Sequence, residues 1–327
     1  MKKQSIVFFC LFLTILSLNA CKKKANIKPE FPQHEITVIC PWGEGGGTNA
    51  ILRELCKTAE KYLGTRIIVE NRIGGAGALG HAAIKDANPD GYTLGMITFE
   101  LNSLSAQELI NFTYEYYDPL IRVNADAATL TVSSNAPYNT IQEFVDYCKL
   151  HPNEVSIGNS AQYSVWHIGA ELFAQATDIK VNHIPFEGAV GAVMALEAGQ
   201  IEAVSVSLAE VKKQLDAGKV KVLGVMDSQR PQLYPNIPTF KEQGFDIEYS
   251  TWRGLALPKK VKPAIKDILV KAFTAAEKDP EFIEKAQALN LTLAYQNSSD
   301  FAVFLKSNYD DIVKTIKAIM PLKAVQN

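Results

Sequence analysis

A glycine-rich segment, Pro41–Asn49, has the strongest chemical signature in the sequence. It follows the apolar run Ile36–Cys40 and precedes a helical pattern of apolar residues from Ile51 to Leu63, which predicts a turn from a strand into a helix. Glycines let the backbone approach a ligand closely, and the first turn of a helix has unpaired amides at the positive end of its dipole. The segment therefore predicts a cradle for an anion, either a phosphate or a carboxylate.

Three further loops carry polar side chains at the ends of predicted strands. Gly158–Ser164 joins a strand to a helix and offers hydroxyl and amide groups, although Ser164 is at least as well suited to cap that helix. Phe186–Gly188 and Ser205–Ser207 follow two later strands, and each either completes a pocket or forms an ordinary loop.

A second glycine cluster matches a dinucleotide fingerprint. Gly75, Gly77 and Gly80 spell GxGxxG after a predicted strand, and Glu100 follows twenty residues later. An oxidoreductase that uses a nicotinamide dinucleotide is therefore the alternative function. Two observations disfavour it. The glycines do not follow the strand directly, and the first 21 residues have the pattern of an export signal, whereas an exported protein has no ready supply of this cofactor.

The sequence contains no recognisable catalytic or metal-binding motif. There is no GxSxG nucleophile elbow. There is also no Walker phosphate-binding loop of a nucleoside triphosphatase, because no lysine follows the first glycine cluster. His167 and Glu171 stand four residues apart and His183 follows on a later strand, but no third ligand has a fitting spacing. The five cysteines form no CxxC pair. We therefore expect a protein that is not an enzyme and has no cofactor and no metal.

The N-terminal residues have the pattern of an export signal. Lys2 and Lys3 precede the apolar stretch Ile6–Leu18, and Cys21 follows Ala20 as in the lipobox of bacterial lipoproteins. The pattern predicts a signal peptide over residues 1–20, lipidation of Cys21 and a polar tether over residues 21–33, so the protein would be exported and anchored to the membrane on its periplasmic or cell-surface side. The alternative is a core cysteine beside a buried helix. The net charge of −2 does not indicate nucleic acid as a partner.

Strand and helix patterns alternate along the chain, which predicts an α/β fold with parallel sheets. The predicted helices include Tyr138–Leu150, Ser164–Ala176, Ala189–Ala198, one that begins at Pro263 and a last one from Ser299 or Asp300 to about Ile319. The predicted strands include Val155–Gly158, Val181–Ile184, Ala203–Val206 and Lys219–Met226. A chain of 327 residues favours two domains. In such sheets, ligands bind beyond the carboxyl ends of the strands, where the polar loops fall.

Taken in order, these motifs resemble the Bug-type extracytoplasmic solute-binding receptors of tripartite tricarboxylate transporters. The resemblance covers the chain from Ile36 onward and rests on Pro41–Asn49, Val69–Gly80, Asp90–Leu94, Gly158–His167, His183–Gly188, Gly218–Val220, Ile237–Gly244 and Trp252–Pro258. It implies a clamshell of the periplasmic-binding-protein type, with a central sheet flanked by helices in each domain. It also implies a non-enzymatic receptor that captures a small organic acid by domain closure and delivers it to integral membrane permease subunits.

The same resemblance implies that the second domain is inserted in the first. Residues 34–130 and 252–327 would form one domain and residues 131–251 the other, with crossovers near Leu130–Ser133 and Ser250–Trp252. In the family, neutral donors from the first glycine loop and from the loop equivalent to Gly158–Ser164 hold one carboxylate, partly through water. The ligand-binding residues expected on this basis are Trp42, Gly45, Gly46, Gly47, Thr48, Asn49, Asn159, Ser160, Ala161, Tyr163, Ser164, Phe186, Glu187, Gly188, Ser205 and Ser207.

Four positions depart from the family pattern. Asn49 stands where an aspartate is usual, Glu187 where a lysine is common, and Ala161 and Tyr163 where glycines are common. A glutamate that faces the ligand repels a second carboxylate. These departures favour a monocarboxylate or a neutral, amide-like solute over a di- or tricarboxylate.

Overall fold

The computed structural model describes residues 31–319, in which the chain from His34 onward forms one compact unit. The expected signal peptide, Cys21 and most of the tether lie outside the described residues. No helix within residues 31–319 combines the length and apolar character needed to cross a membrane.

The described residues contain eleven strands and ten α-helices. The strands are β1 (Ile36–Cys40), β2 (Ile67–Asn71), β3 (Thr93–Thr98), β4 (Tyr117–Asn124), β5 (Ala128–Ser133), β6 (Ser156–Asn159), β7 (Asn182–Pro185), β8 (Ala203–Ser207), β9 (Val220–Val225), β10 (Arg253–Pro258) and β11 (Leu293–Gln296). The helices are α1 (Gly47–Leu63), α2 (Ala78–Lys85), α3 (Phe99–Ala106), α4 (Ile141–Leu150), α5 (Val165–Thr177), α6 (Ala189–Glu197), α7 (Leu208–Asp216), α8 (Pro263–Glu277), α9 (Pro280–Ala288) and α10 (Ser298–Ile319).

These elements build two sheets flanked by helices, as the α/β prediction requires. The six-stranded sheet has the order β11-β4-β10-β3-β1-β2, and the five-stranded sheet has the order β7-β6-β8-β5-β9. β1 runs parallel to β2 and β3, and β6 runs parallel to β7 and β8. The prediction of parallel sheets is thus only partly right, because β10 is antiparallel to β3 and β4, and β5 is antiparallel to β8 and β9.

Helix α1 shows why the first glycine segment ends in a helix. Its residues Ile51, Leu52, Leu55 and Ala59 are completely buried, so the apolar stripe faces the core against β2 and α8. Gly64 ends the helix in the left-handed conformation at φ 67° and donates its N–H to the carbonyl of Glu60. The buried stripe therefore fixes the position of the helix and of its N terminus.

The chain changes sheets twice. The first change falls at residues 125–127, between β4 and β5. It comes before the expected crossover at Leu130–Ser133, because Leu130 already pairs with Ser205 and Gly224 of the five-stranded sheet. The return lies between β9 and β10, where Ser250 forms an isolated bridge with Ala127.

Candidate functional site

A cavity of about 110 Å³, here called the central cavity, lies where loops and helix N termini from both sheets meet. An engineered cavity of about 150 Å³ admits benzene, so the central cavity suits a molecule of a few heavy atoms. Its lining residues are Trp42, Gly43, Glu44, Gly46, Gly47, Thr48, Thr98, Glu100, Ser160, Val165, Trp166, Glu187, Gly188, Ala189, Val190, Glu210, Thr251 and Arg253.

Part of the predicted site lines this cavity. The predicted residues in contact with it are Trp42, Gly46, Gly47, Thr48, Ser160, Glu187 and Gly188. The predicted residues outside its lining are Gly45, Asn49, Asn159, Ala161, Tyr163, Ser164, Phe186, Ser205 and Ser207. The structure therefore brings all the predicted loops except Ser205–Ser207 to the cavity.

The N terminus of α1 presents free backbone donors to the cavity. Gly46, the N-cap residue, provides no side-chain hydrogen bond, and the first turn contains no acidic residue. The amides of Gly46, Gly47 and Thr48 find no hydrogen-bond partner among the described residues. These three N–H groups and the helix dipole form a positively polarised surface.

Arg253 lies beside this helix terminus. Its Nε donates to Oγ1 of Thr48 at 2.7 Å. A Cβ atom added to Gly47 would lie 3.2 Å from Nη2 of Arg253, so the glycine leaves room for the guanidinium. Nη1 of Arg253 forms an ion pair with Oδ2 of Asp126, and both side chains are almost fully buried. Asp126 therefore compensates much of the charge that Arg253 brings to the cavity.

Ser160 and Ser164 have different roles. Ser160 lines the cavity, and its hydroxyl donates to Oγ of Ser164 at 2.9 Å. Ser164 is the N-cap residue of α5 and accepts from the amide of His167, which is the capping alternative raised by the sequence. Only Ser160 is thus positioned to touch a solute in the central cavity.

Glu100 is a site residue that sequence reasoning assigned to a different function. It is 3% exposed and lines the central cavity. Its Oε2 accepts from Oγ1 of Thr98 at 2.6 Å, and its Oε1 accepts from the amide of Val165, at the start of α5, at 3.3 Å. Burial is the largest influence and raises the pKa of Glu100, and these hydrogen bonds and the charge of Arg253 offset only part of that rise.

Glu210 brings a second carboxyl group to the same space. It lies in the first turn of α7, where its Oε2 accepts from the amide and the hydroxyl of Ser207, both at 2.9 Å. This capping box fixes the side chain. Burial raises the pKa of Glu210, and the nearby Arg253 lowers it. The capping box was visible in the sequence as Ser207 followed by Glu210, but its proximity to the cavity was not.

The loop before α6 contributes Glu187 and Gly188. Gly188 adopts φ 100°, and α6 has no side-chain cap. The amide of Gly188 donates to the carbonyl of Ser160 at 2.8 Å, which joins this loop to the loop before α5. Glu187 is exposed and lines the cavity at its rim.

Several predicted residues lie just behind the central cavity. Phe186 and Ala161 line a smaller cavity of about 30 Å³. Tyr163 adopts φ 56°, and its amide donates to Nδ1 of His167 at 2.7 Å. Asn159 of β6 and Ser205 of β8 come directly after Gly158 and Val204, the last residues through which these two strands pair with each other. Their buried side-chain polar atoms have no hydrogen-bond partner among the described residues.

The arrangement around Gly75, Gly77 and Gly80 differs from a dinucleotide-binding unit. A Cβ atom on Gly80 would lie 2.5 Å from Cα of Pro41, so this glycine permits close packing of α2 against Pro41. The glycine turn follows β2, whereas Glu100 follows β3, and β1 lies between these two strands. In a dinucleotide fold the acidic residue follows the strand that lies directly beside the strand before the glycine turn. The carboxylate of Glu100 instead faces the central cavity.

The histidines outside this cavity are held by local contacts. Nε2 of His183 lies 3.0 Å from Oε2 of Glu171, and burial lowers the pKa of His167 to about 4. Within residues 31–319, no group of three or more histidine, cysteine, aspartate or glutamate side chains is placed to hold a metal ion.

Comparison with known proteins gives consistent matches over most of the chain. A sequence profile described as a tripartite tricarboxylate transporter family receptor (TctC) matches residues 51–320. Protein BugT of Bordetella pertussis is 28% identical over 272 residues, which cover 80% of this chain and 82% of BugT. A solved TctC solute binding protein from Polaromonas is 33% identical with a TM-score of 0.68, and the match covers 88% of this chain and 99% of that protein.

A structure of lower identity extends the likeness in fold. MatC from Rhodopseudomonas palustris, solved with bound malate, is 22% identical with a TM-score of 0.80. The match covers 88% of this chain and all of MatC. At this identity the likeness concerns the fold.

Proposed function

Because this chain belongs to the receptor family of tripartite tricarboxylate transporters and is a solute-binding receptor, we propose that it captures a small carboxylate-bearing solute in the central cavity. The observation that carries the proposal is the uncapped N terminus of α1, which lines the cavity with unpaired amides next to Arg253. A carboxylate satisfies such donors and is stabilised by the helix dipole.

We place the carboxylate of the solute at the amides of Gly46, Gly47 and Thr48. The hydroxyl of Ser160 becomes a side-chain donor when its proton turns from Oγ of Ser164 to the solute. Arg253 adds a guanidinium whose charge is shared with Asp126. Asn159 and Ser205 have unpaired buried polar atoms behind the loops, and ordered water between them and the solute would satisfy these atoms.

Capture by closure of two domains is the second part of the proposal. The division into residues 34–130 with 252–327 and residues 131–251 is supported by the two sheets and their two connections. Thr251 and Arg253 lie at the return connection and also line the cavity, so a bound solute would contact the segment that changes its conformation on closure. The first domain boundary, expected between residues 130 and 131, would then lie a few residues earlier, at residues 125–127, where the chain passes from the first sheet to the second.

The cellular part of the proposal completes the receptor role. The exported lipoprotein would be anchored through Cys21, bind its solute without chemical change and without a cofactor, and present it to the integral membrane permease subunits of the transporter. Family members are extracytoplasmic receptors, which supports this location. Lipidation can be tested by mass spectrometry of the protein from a membrane fraction, where an unmodified N terminus would contradict it.

Isothermal titration calorimetry of the purified protein with a series of small carboxylates tests the proposed function. We expect saturable binding and a loss of about tenfold or more in affinity for Gly47→Ala, because the added methyl group crowds Arg253 and narrows the amide cradle. Gly191→Ala is the matched control, because its Cβ atom would meet Phe186 at an ordinary 3.5 Å.

Two results would contradict the proposal. Equal affinities of the wild type and Gly47→Ala would move the carboxylate away from α1. Absence of carboxylate binding, together with binding or turnover of a nicotinamide dinucleotide, would instead favour the oxidoreductase.

A further inference from the structure

Most charges around the central cavity cancel in pairs, and three carboxyl groups are left over. Glu44 pairs with Arg53 at 2.8 Å, and Asp126 pairs with Arg253. Among the residues described, no cation lies within ion-pair distance of the other three acidic residues that line the cavity. These three are Glu100, Glu187 and Glu210.

The hydrogen bonds of Glu100 favour its ionised form. Both carboxylate oxygens accept hydrogen bonds from the chain, one from the hydroxyl of Thr98 and one from the amide of Val165. A carboxylate that accepts on both oxygens is stabilised relative to the protonated acid, so these hydrogen bonds offset part of the larger effect of burial, which keeps the pKa of Glu100 raised. Glu210 accepts two hydrogen bonds from Ser207, both on Oε2.

Internal carboxylates already occupy two of the helix N termini near the cavity. Glu100 accepts the first amide of α5, and Glu210 caps α7. The N terminus of α1 has no such internal carboxylate in its first turn. The cavity therefore offers one free anion site at α1. Glu100 supplies negative charge in the lining at the start of α5, whereas Glu210 lies beside Gly47, where a Cβ atom would meet its Cγ at 3.8 Å.

We propose that Glu100, together with Glu210 and Glu187, makes this receptor selective for a carboxylate solute that also carries an ammonium or amide N–H group. The inference rests on the proposed function, since it assumes that the solute's carboxylate binds at α1. A second carboxylate on the solute would be repelled by these glutamates, most strongly by Glu100, which is buried and poorly screened by water. An ammonium or amide N–H group would instead donate to them and offset their desolvation.

Titration with matched solutes separates the two proposals. The probes are alkanoates, the corresponding dicarboxylates, their monoamides and their amino derivatives, in series of three, four and five carbons; the four-carbon set is butyrate, succinate, succinamate, 2-aminobutyrate and 4-aminobutyrate. At pH 7.5 we expect at least one nitrogen-bearing probe to bind about tenfold or more tightly than the alkanoate and the dicarboxylate of its series.

Each outcome has one meaning. A dicarboxylate that binds as tightly as the best nitrogen-bearing probe overturns this inference and leaves the proposed function intact. Failure of every carboxylate in all three series overturns the proposed function itself. A preference for the alkanoate over the dicarboxylate and over the nitrogen-bearing probes overturns the role of the glutamates, because the part of the cavity beside them would then prefer an apolar end group.

Variants identify the residue responsible. Glu100→Gln keeps the size of the side chain and removes its charge, so it should weaken binding of the amino probe about tenfold and narrow or reverse the discrimination against the dicarboxylate. Glu284→Gln, an exposed glutamate on α9 away from the cavity, should change neither affinity. Unchanged discrimination in a folded Glu100→Gln protein would refute the role of Glu100.

A second variant covers the case in which the buried Glu100→Gln protein does not fold. Glu187 is exposed at the rim, so Glu187→Gln should fold as the wild type does, which a thermal melt checks. We expect it to shift the ratio of amino-probe to dicarboxylate affinity in the same direction by a smaller factor, because water screens an exposed charge. A shift in the opposite direction would contradict the proposed electrostatic selection.

Discussion

Glu277 is a buried acidic residue whose ionisation should cost the protein stability. It is the last residue of α8, is 5% exposed and has no hydrogen bond or ion pair from its carboxyl group to any residue in the described range. Burial raises its pKa from 4.5 to about 7, and the neighbouring Lys278 offsets only part of this effect. The C-terminal end of a helix is also the negative end of its dipole, which disfavours a carboxylate there.

The magnitude and its sign follow from this pKa. Between pH 4.5 and 7 the unfolded chain loses the proton of Glu277 while the folded protein keeps it, so stability falls as the pH rises through this range. At about 1.4 kcal/mol per pH unit the full penalty is roughly 3 kcal/mol. Since the carboxyl group sits at a helix end near the surface, water reduces the penalty, and we expect about 2 kcal/mol.

Glu277→Gln removes the penalty without changing the size of the side chain. Its free energy of unfolding should exceed that of the wild type by about 2 kcal/mol at pH 8 and by little at pH 4, where both forms are neutral. Urea denaturation followed by circular dichroism at pH 4, 6 and 8 measures this, with Glu284→Gln as the exposed control. The same gain at every pH, or no gain at pH 8, would refute the reasoning.

Two further predictions concern the surroundings of the central cavity. Asp126→Asn leaves the buried guanidinium of Arg253 without its counter-charge and should lower the free energy of unfolding by about 3–5 kcal/mol, so an unchanged urea midpoint would contradict the importance of this pair. Ser164→Ala removes the N-cap of α5 and should cost about 1 kcal/mol of stability. Ser160→Ala should leave stability nearly unchanged and weaken carboxylate binding by about 1.5–3 kcal/mol, which calorimetry would detect.

Local patterns in the sequence were sufficient to predict most elements of the second sheet. The predicted helix Ser164–Ala176 matches α5, Val165–Thr177, and the predicted strand Lys219–Met226 contains β9. The predicted helix Tyr138–Leu150 begins too early, because Thr140 is the N-cap residue of α4 and accepts from the amide of Glu143. Burial periodicity fixes the type of an element, whereas a capping contact decides where it begins.

The antiparallel pairing was not predictable from the same patterns. β10 is inserted between β3 and β4 of the first sheet, more than 120 positions along the chain from either strand. A continuous apolar run identifies a buried strand but contains no information about its neighbours or their direction. The return crossover near Ser250–Trp252 came from the resemblance to a family with an inserted domain and stays a prediction; the structure shows that β10, from Arg253, pairs with β3 and β4.

The parts of the site that sequence reasoning missed are those formed by contacts between distant residues. Thr48 and Arg253 are 205 positions apart, and no motif in the sequence links them. Glu100 was noticed only because it fitted the spacing of a dinucleotide fingerprint. The loops that were found share one local signal, a glycine or serine within three residues of the end of a strand.

The charge of the cavity follows from the same long-range contacts. The whole chain is nearly balanced at −2, yet the central cavity is lined by glutamates whose possible partners are already engaged: Arg53 with Glu44, and Arg253 with Asp126. Arg253 alone would indicate a site that binds a carboxylate tightly. Asp126, 127 positions away along the chain, forms an ion pair with Arg253 and so shares its charge. Glu187 lies on the surface, and no ion pair among the described residues holds it in place. Substitution there should therefore alter the choice of solute while leaving the fold intact.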